Sequence, residues 1–291
     1  MKKAPEYATA TAFRMALEAR LHTMAREQGV DVQRLRRQVA FDRLLCRLFH
    51  DPSVRWVLKG GYAMELRLEV ARTTRDIDLS LYDVTILRKH EEPKETAVLD
   101  LLQDAVSPDL HDFFTFLIGE PMMDLEGAPY GGSRYPVDAR MDGRTFSRFH
   151  VDVGLGDKAL EPVDIVQSKD WLGFAGIPAG IFPIISKEQQ FAEKYHAYTR
   201  PRTDRPNSRV RDLVDLALLI HSGDLDPRRM QAALDKTFSG RKTHGLPVQV
   251  PDPPDNWAGP FQAMAGECRI GEDIDTAVGQ LRAFVARVGR L

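Results

Sequence analysis

Between Val54 and Leu81 the spacing of hydrophobic positions changes character twice. Val54 to Leu58 is a short, mainly apolar run that stops at Gly60-Gly61, the pattern of a buried strand. Helical spacing follows, and from Asp76 polar and apolar residues alternate. In a strand this alternation puts Asp76 and Asp78 on one face and Ile77 and Leu79 on the other, toward a core. Upstream, residues 9–28 and 31–50 read as two amphipathic helices separated by Gly29. The second carries Val32, Leu35, Val39, Leu45, Cys46 and Phe49 at near-helical spacing. Arg34, Arg36, Arg37, Arg43 and Arg47 lie elsewhere around it and are expected to be solvated.

Downstream, residues 95–106 predict a short helix ended by Pro108, and Phe113 to Ile118 a strand. Residues 119–137, rich in Gly and Pro, read as a loop or hairpin. Over 143–156 the alternation returns, with Phe149, Val151, Val153 and Leu155 on one face and His150 and Asp152 on the other. Residues 157–185 read as loop and hold the expected boundary between domains of residues 1–170 and 171–291. Ser186 with Gln189 three residues on predicts a helix start. An Arg-rich segment follows, broken by Pro201 and Pro206, and leads into a helix containing Asp212 and Asp215. Two more helices are expected at 227–238 and 272–288, separated by a Pro-rich linker. The elements together predict an α/β (α+β) fold: a small mixed sheet flanked by helices, and a mainly helical C-terminal domain that closes a cleft.

The chemistry concentrates where strand, Gly-Gly, helix and strand succeed one another. Gly60 and Gly61 allow the backbone to approach a ligand, and the helix N-terminus behind them favours a phosphate. Asp76 and Asp78 side by side repel each other unless a cation lies between them, which suits Mg²⁺ (or Mn²⁺). Asp152 joins them if its strand pairs beside theirs, supplying a carboxylate for a second ion or for proton removal. Asp138, Asp157 and Asp164 are weaker rivals because each neighbours a turn residue. Arg200, Arg202, Arg205, Arg209 and Arg211 form a local basic cluster fit for a polyanion, either a triphosphate or an RNA backbone; five exceed what one triphosphate engages, which favours RNA.

The motifs Lys59-Gly60-Gly61, Leu66 and Arg72-x-Thr74-x-Asp76-Ile77-Asp78 resemble the signature of the AbiEii-type group within the DNA polymerase β nucleotidyltransferase superfamily. Glu193-Lys194, the Arg-rich loop and Asp212-x-x-Asp215 are similar to that group's second motif. The group comprises toxins of bacterial toxin–antitoxin pairs, including MenT-type tRNA nucleotidyltransferases. The resemblance implies a nucleotidyltransferase fold and transfer of a nucleoside monophosphate from a nucleoside triphosphate to a hydroxyl at the tRNA 3′ end, blocking translation. It implies nucleotide contacts at Lys59, Gly60, Gly61, Tyr62, Arg75 and Lys194, with an aspartate, Asp212 or Asp215, acting beside the lysine. It also implies a cognate antitoxin protein. Tyr62 departs from the Ser or Thr that many superfamily members place after the glycines, which shifts the phosphate grip toward backbone N–H groups. A nucleotidylyltransferase acting on protein or a small molecule would share these residues without needing a wider basic surface, and a non-catalytic binding module would not need both Asp76 and Asp78.

Composition narrows the field further. A chain of 291 residues with 43% hydrophobic content has room for a substantial core. No apolar run approaches a membrane span, and the N-terminus lacks a signal-peptide h-region, so a cytoplasmic protein with no membrane partner is expected. Cys46 and Cys268 lie too far apart in sequence for a metal-ligand motif, and no His-x-x-x-His pair suggests a zinc enzyme. The net charge of −2 means that any case for nucleic acid rests on local clustering.

Overall fold

The computed structural model describes residues 7–89, 93–125, 128–157, 160–201 and 209–289. The elements run α1 (Ala10–Gln28), α2 (Val32–Leu48), β1 (Trp56–Lys59), α3 (Gly60–Arg67), β2 (Asp76–Leu81) and α4 (Lys94–Val106). They continue as β3 (Phe114–Ile118), β4 (Met123–Asp124), β5 (Gly132–Met141), β6 (Arg144–Leu155), β7 (Asp164–Gln167) and β8 (Ile181–Ile184). The chain ends in α5 (Lys187–Thr199), α6 (Val210–His221), α7 (Pro227–Arg241), α8 (Ala258–Glu267) and α9 (Ile274–Val288). These elements fall into two compact units, Met1–Leu58 with Thr74–Gly156 and Ile165–Pro183, and Lys59–Thr73 with Asp157–Asp164 and Ile184–Leu291. No helix among the described residues is long and apolar enough to cross a membrane.

The first unit is built on a mixed sheet in the order β3-β5-β6-β2-β1-β8-β7, with β4 pairing β5. β2 runs parallel to β6, while β5 and β6 form a long antiparallel hairpin. Asp142 and Gly143 turn that hairpin with φ of 54° and 68°. Two successive positive φ values match the right-handed strand twist, and Asp-Gly is suited to adopt them. Strand Gly132–Met141 occupies a stretch read from sequence as loop or hairpin, because Pro136 interrupts a pattern that otherwise alternates. Strands Asp164–Gln167 and Ile181–Ile184 likewise replace an expected loop; each has only four residues, too few for periodicity to outweigh the Gly and Pro around them.

The helices over this sheet correct a second expectation. Asp31 caps α2 by accepting from the Gln33 N–H at 2.8 Å. From Gln38 to Leu48, α2 is buried almost all round, and Phe41 meets Phe149 of β6 edge to face at 4.7 Å. Arg43 and Arg47 are therefore not solvated: they are 4% and 1% exposed. Asp112, fully buried, accepts from Arg43 Nε at 2.8 Å and from both terminal nitrogens of Arg47 at 2.9 and 2.7 Å. Arg47 also donates to the Phe114 carbonyl at 2.8 Å. Burial pushes the Asp112 carboxyl up, but the two guanidinium groups outweigh it and hold the carboxyl below its ordinary value. Arg36 pairs with Glu18 at 2.6 Å, and Arg37 donates to the Thr74 carbonyl at 3.3 Å.

The second unit is helical, with a core that includes Met64, Phe191, Tyr195, Leu213, Leu216, Phe261 and Leu281. Its helix starts follow capping chemistry: Ser186 accepts from the Gln189 N–H at 3.2 Å, Asp226 from Arg229 at 2.8 Å and Asp273 from Thr276 at 2.9 Å. The sequence pattern does not announce α8, where Gly259, Pro260 and Gly266 lower helix propensity and only Phe261 and Ala265 are buried. His196 is buried beside Phe238 and His244, at ring-centroid distances of 4.9 and 4.6 Å, and shares a hydrogen bond with Thr243 Oγ1 at 2.8 Å.

Two predictions follow from these buried groups. Asp112→Ala leaves two buried guanidinium groups without their counter-ion and should cost about 3–5 kcal/mol, seen as a lowered urea midpoint. Burial, and secondarily the Arg241 charge, push the His196 pKa down to about 3. The unfolded chain then takes up a proton near pH 6.5 that the folded chain refuses, so stability is full above about pH 6.5 and falls as pH drops toward 3. His196→Gln should flatten that fall by up to about 1.4 kcal/mol per pH unit, measured by urea unfolding between pH 7 and 4.5.

Candidate active site

Burial along β2 follows the alternation read from its sequence: Ile77 and Leu79 are buried, while Asp76 and Asp78 stay partly open. Parallel pairing with β6 sets Asp76 opposite His150 and Asp78 opposite Asp152. Register partners project to the same face of a sheet, so the three aspartates and His150 share one surface. His150 Nδ1 lies 3.3 Å from Asp76 Oδ1.

The repulsion this creates is answered by a residue that the sequence reading did not single out. Arg134 on β5 is the register partner of Asp152 and grips it with two hydrogen bonds, Nε to Oδ1 and Nη2 to Oδ2, both 2.7 Å. The same Nη2 reaches toward Asp76 Oδ2 at 3.4 Å. These hydrogen bonds raise the Arg134 pKa; partial burial opposes them, and the charges of Asp152, Asp76 and Asp78 add to the rise. The signal for Arg134 was the alternation of Gly132, Arg134, Asp138 and Arg140 with buried Ser133, Tyr135, Val137, Ala139 and Met141. Beside this cluster, Arg37, Arg75, Arg134, Arg148 and His150 help to line a groove of about 770 Å³. Arg75 is exposed there.

Carboxylate oxygens on Asp76 and Asp78 are the donor chemistry of a Mg²⁺ site, which takes one or two protein carboxylates and completes its shell with water and phosphate oxygens. Among the described residues, no three acidic, His or Cys side chains converge to hold one ion, and Asp152 is turned to Arg134. The carboxylates of Asp76 and Asp78 fit that donor chemistry, while both oxygens of Asp152 are engaged by Arg134. The three rival aspartates are engaged elsewhere: Asp138 with Arg140, Asp157 with Lys59 and Asp164 with Arg67.

In the second unit, Gly60 opens α3 with a φ of 67°, a conformation that strains any residue bearing a Cβ. Its carbonyl accepts from Gln190 Nε2 at 2.7 Å. Lys59 pairs with Asp157; burial lowers its pKa, but the Asp157 and Glu193 charges outweigh burial and raise it. Gly61 and Tyr62 are buried, the tyrosine to 2% exposure.

Lys194 on α5 contacts Asp212 at 3.1 Å and Asp215 at 2.8 Å, so both aspartates of α6 meet the same ammonium. Arg72 completes the network with two hydrogen bonds to Asp215 at 2.8 and 2.9 Å. Burial would lower the Lys194 pKa, yet the two carboxylates hold it above its ordinary value. Burial would raise Asp215, yet Lys194 and Arg72 hold it below. Of the basic cluster, Arg209 and Arg211 are exposed and Arg200 is half-buried, while Arg202 and Arg205 lie outside the described residues. Arg209 also approaches Asp212 at 3.6 Å.

The family model described as nucleotidyl transferase AbiEii toxin, type IV TA system, matches residues 43–286. No curated protein matches the sequence. Among solved structures, the chain is similar to MenT4, a nucleotidyltransferase toxin from Mycobacterium tuberculosis H37Rv, at 18% identity and a TM-score of 0.56, covering 94% of this chain and 97% of that one. A Helicobacter pylori protein provisionally assigned as a nucleotidyltransferase matches at 13% identity and a TM-score of 0.48, over 90% and 96% of the two chains. JHP933 from Helicobacter pylori matches at 15% identity and 0.44, over 89% and 96%.

The Lys194 network generates a stability prediction. Lys194→Met keeps the apolar stem but strands part of a buried acidic pair, and should cost about 3 kcal/mol, the low end for a broken buried ion pair because Arg72 still holds Asp215. An unchanged urea midpoint would contradict the geometry described.

Proposed function

Because the chain belongs to the family of AbiEii nucleotidyl transferase toxins, we propose that it transfers a nucleoside monophosphate from a nucleoside triphosphate to the 3′ end of tRNA, with Mg²⁺ as its cofactor. One observation carries this reading: Asp76 and Asp78 share a strand face in parallel register with Asp152. The acceptor hydroxyl oxygen bonds to the α-phosphorus while the bond from that phosphorus to the bridging oxygen breaks. Pyrophosphate leaves with the electron pair, and the hydroxyl proton is released to solvent. Asp76 and Asp78 would hold the Mg²⁺, which neutralises phosphate charge when bound. The rest of the catalysis is positioning and fixed charge.

Lys194, kept an ammonium by Asp212 and Asp215, is the cation we assign to nucleotide phosphate, together with Lys59 and the N-terminus of α3 at Gly60 and Gly61. Arg200, Arg202, Arg205, Arg209 and Arg211 are assigned to the RNA backbone, where guanidinium groups recognise phosphates without reading sequence. A tRNA so modified cannot be charged, so translation stops; a cognate antitoxin protein opposes this toxicity.

The test is incubation of the protein with labelled nucleoside triphosphates and either total RNA or protein. Label should enter tRNA and be abolished by EDTA. Asp78→Asn keeps the shape but removes the charge, and should lower transfer at least about a hundredfold, the scale of losing a transition-state electrostatic contact. Label in protein instead would replace the acceptor, and full activity of Asp78→Asn would overturn the two-carboxylate site.

A further inference from the structure

The carboxylate face carries a cation of its own. Asp76, Asp78 and Asp152 bring three negative charges to one face, and Arg134 returns one positive charge to it. A guanidinium does not lose its proton in a protein, so that charge is permanent. It comes from the register of the hairpin, since Arg134 and Asp152 are cross-strand partners on antiparallel strands. Both Asp152 oxygens are taken at 2.7 Å, and Arg134 also reaches Asp76 at 3.4 Å. The guanidinium thus occupies the side of Asp152 from which an ion would be chelated. The carboxylate it withholds is the less exposed one, 12% against 31% for Asp76.

We infer that Arg134 is the resident counter-ion of this face and limits it to a single divalent cation, held by Asp76 and Asp78. The inference rests on the assignment of those two aspartates as cation ligands. The Arg134 fork engages both oxygens of Asp152. Without it, Asp152 is released and the face can take a second ion. Arg134 is a positioning residue, acting through the carboxylate it holds.

The experiment counts Mn²⁺ bound to the full-length protein without nucleotide, by the loss of the free-ion electron paramagnetic resonance signal. Wild type should bind one ion per chain, and Arg134→Gln, which removes the charge at similar length, should bind two. Arg134→Lys, which restores the charge, should return the count to one. Circular dichroism checks that each variant is folded. One ion in both wild type and Arg134→Gln would overturn the role of Arg134, as would two ions in wild type. No ion in wild type would overturn the inference together with the Asp76 and Asp78 assignment on which it stands. The expected counts in a protein that transfers no nucleotide would sustain the inference and remove the proposed reaction.

Discussion

Like charges set side by side on one sheet face are the constraint to which the first unit answers. In a strand, Asp76 and Asp78 cannot point away from each other, because residues two apart share a face. The parallel partner adds Asp152 to the same surface. Every such arrangement is unfavourable until countercharge arrives, and the fold supplies part of it from the next strand over, through the fork of Arg134. The hydrophobic side of the same strands, with Ile77, Leu79, Val151 and Val153 fully buried, is what prevents the strands from escaping the repulsion by turning over.

The two units use buried ionic groups in a similar way. In one, Asp112 holds Arg43 and Arg47; in the other, Asp215 holds Lys194 and Arg72. Neither network is strong evidence of stability, since desolvation offsets most of the attraction. Each instead commits a helix to one partner, because a buried charge without its counter-ion is costly. α2 is tied to the start of β3, and α5 to α6.

The framework was legible in the sequence wherever periodicity was long or a cap was present. The β2 and β6 alternation and the Ser186 cap were all readable, and the nucleotidyltransferase motifs named the family. What escaped depends on partners remote in sequence. Nothing near Arg47 announces Asp112, 65 residues away, so an arginine on a helix reads as solvated until its partner is known. Arg134 escaped because Pro136 masked the alternation of β5 and so hid the strand that presents it. The four-residue strands β7 and β8 are too short to rise above their Gly and Pro neighbours.

The Asp142-Gly143 turn also bears on the order in which the charged face can assemble. Arg134 and Asp152 are 18 residues apart along the chain, whereas Asp76 and His150, which mark the parallel pairing, are 74 apart. Closing the longer loop costs about 1 kcal/mol more in chain entropy, and hairpins zip from a tight turn within microseconds while parallel strands must wait for a distant segment. Contact order therefore favours the salt bridge over the carboxylate row. If β2 pairs after that hairpin has closed, its Asp76 and Asp78 meet a strand whose own aspartate Arg134 already neutralises, so the strongest repulsion is met beside a cation already in place.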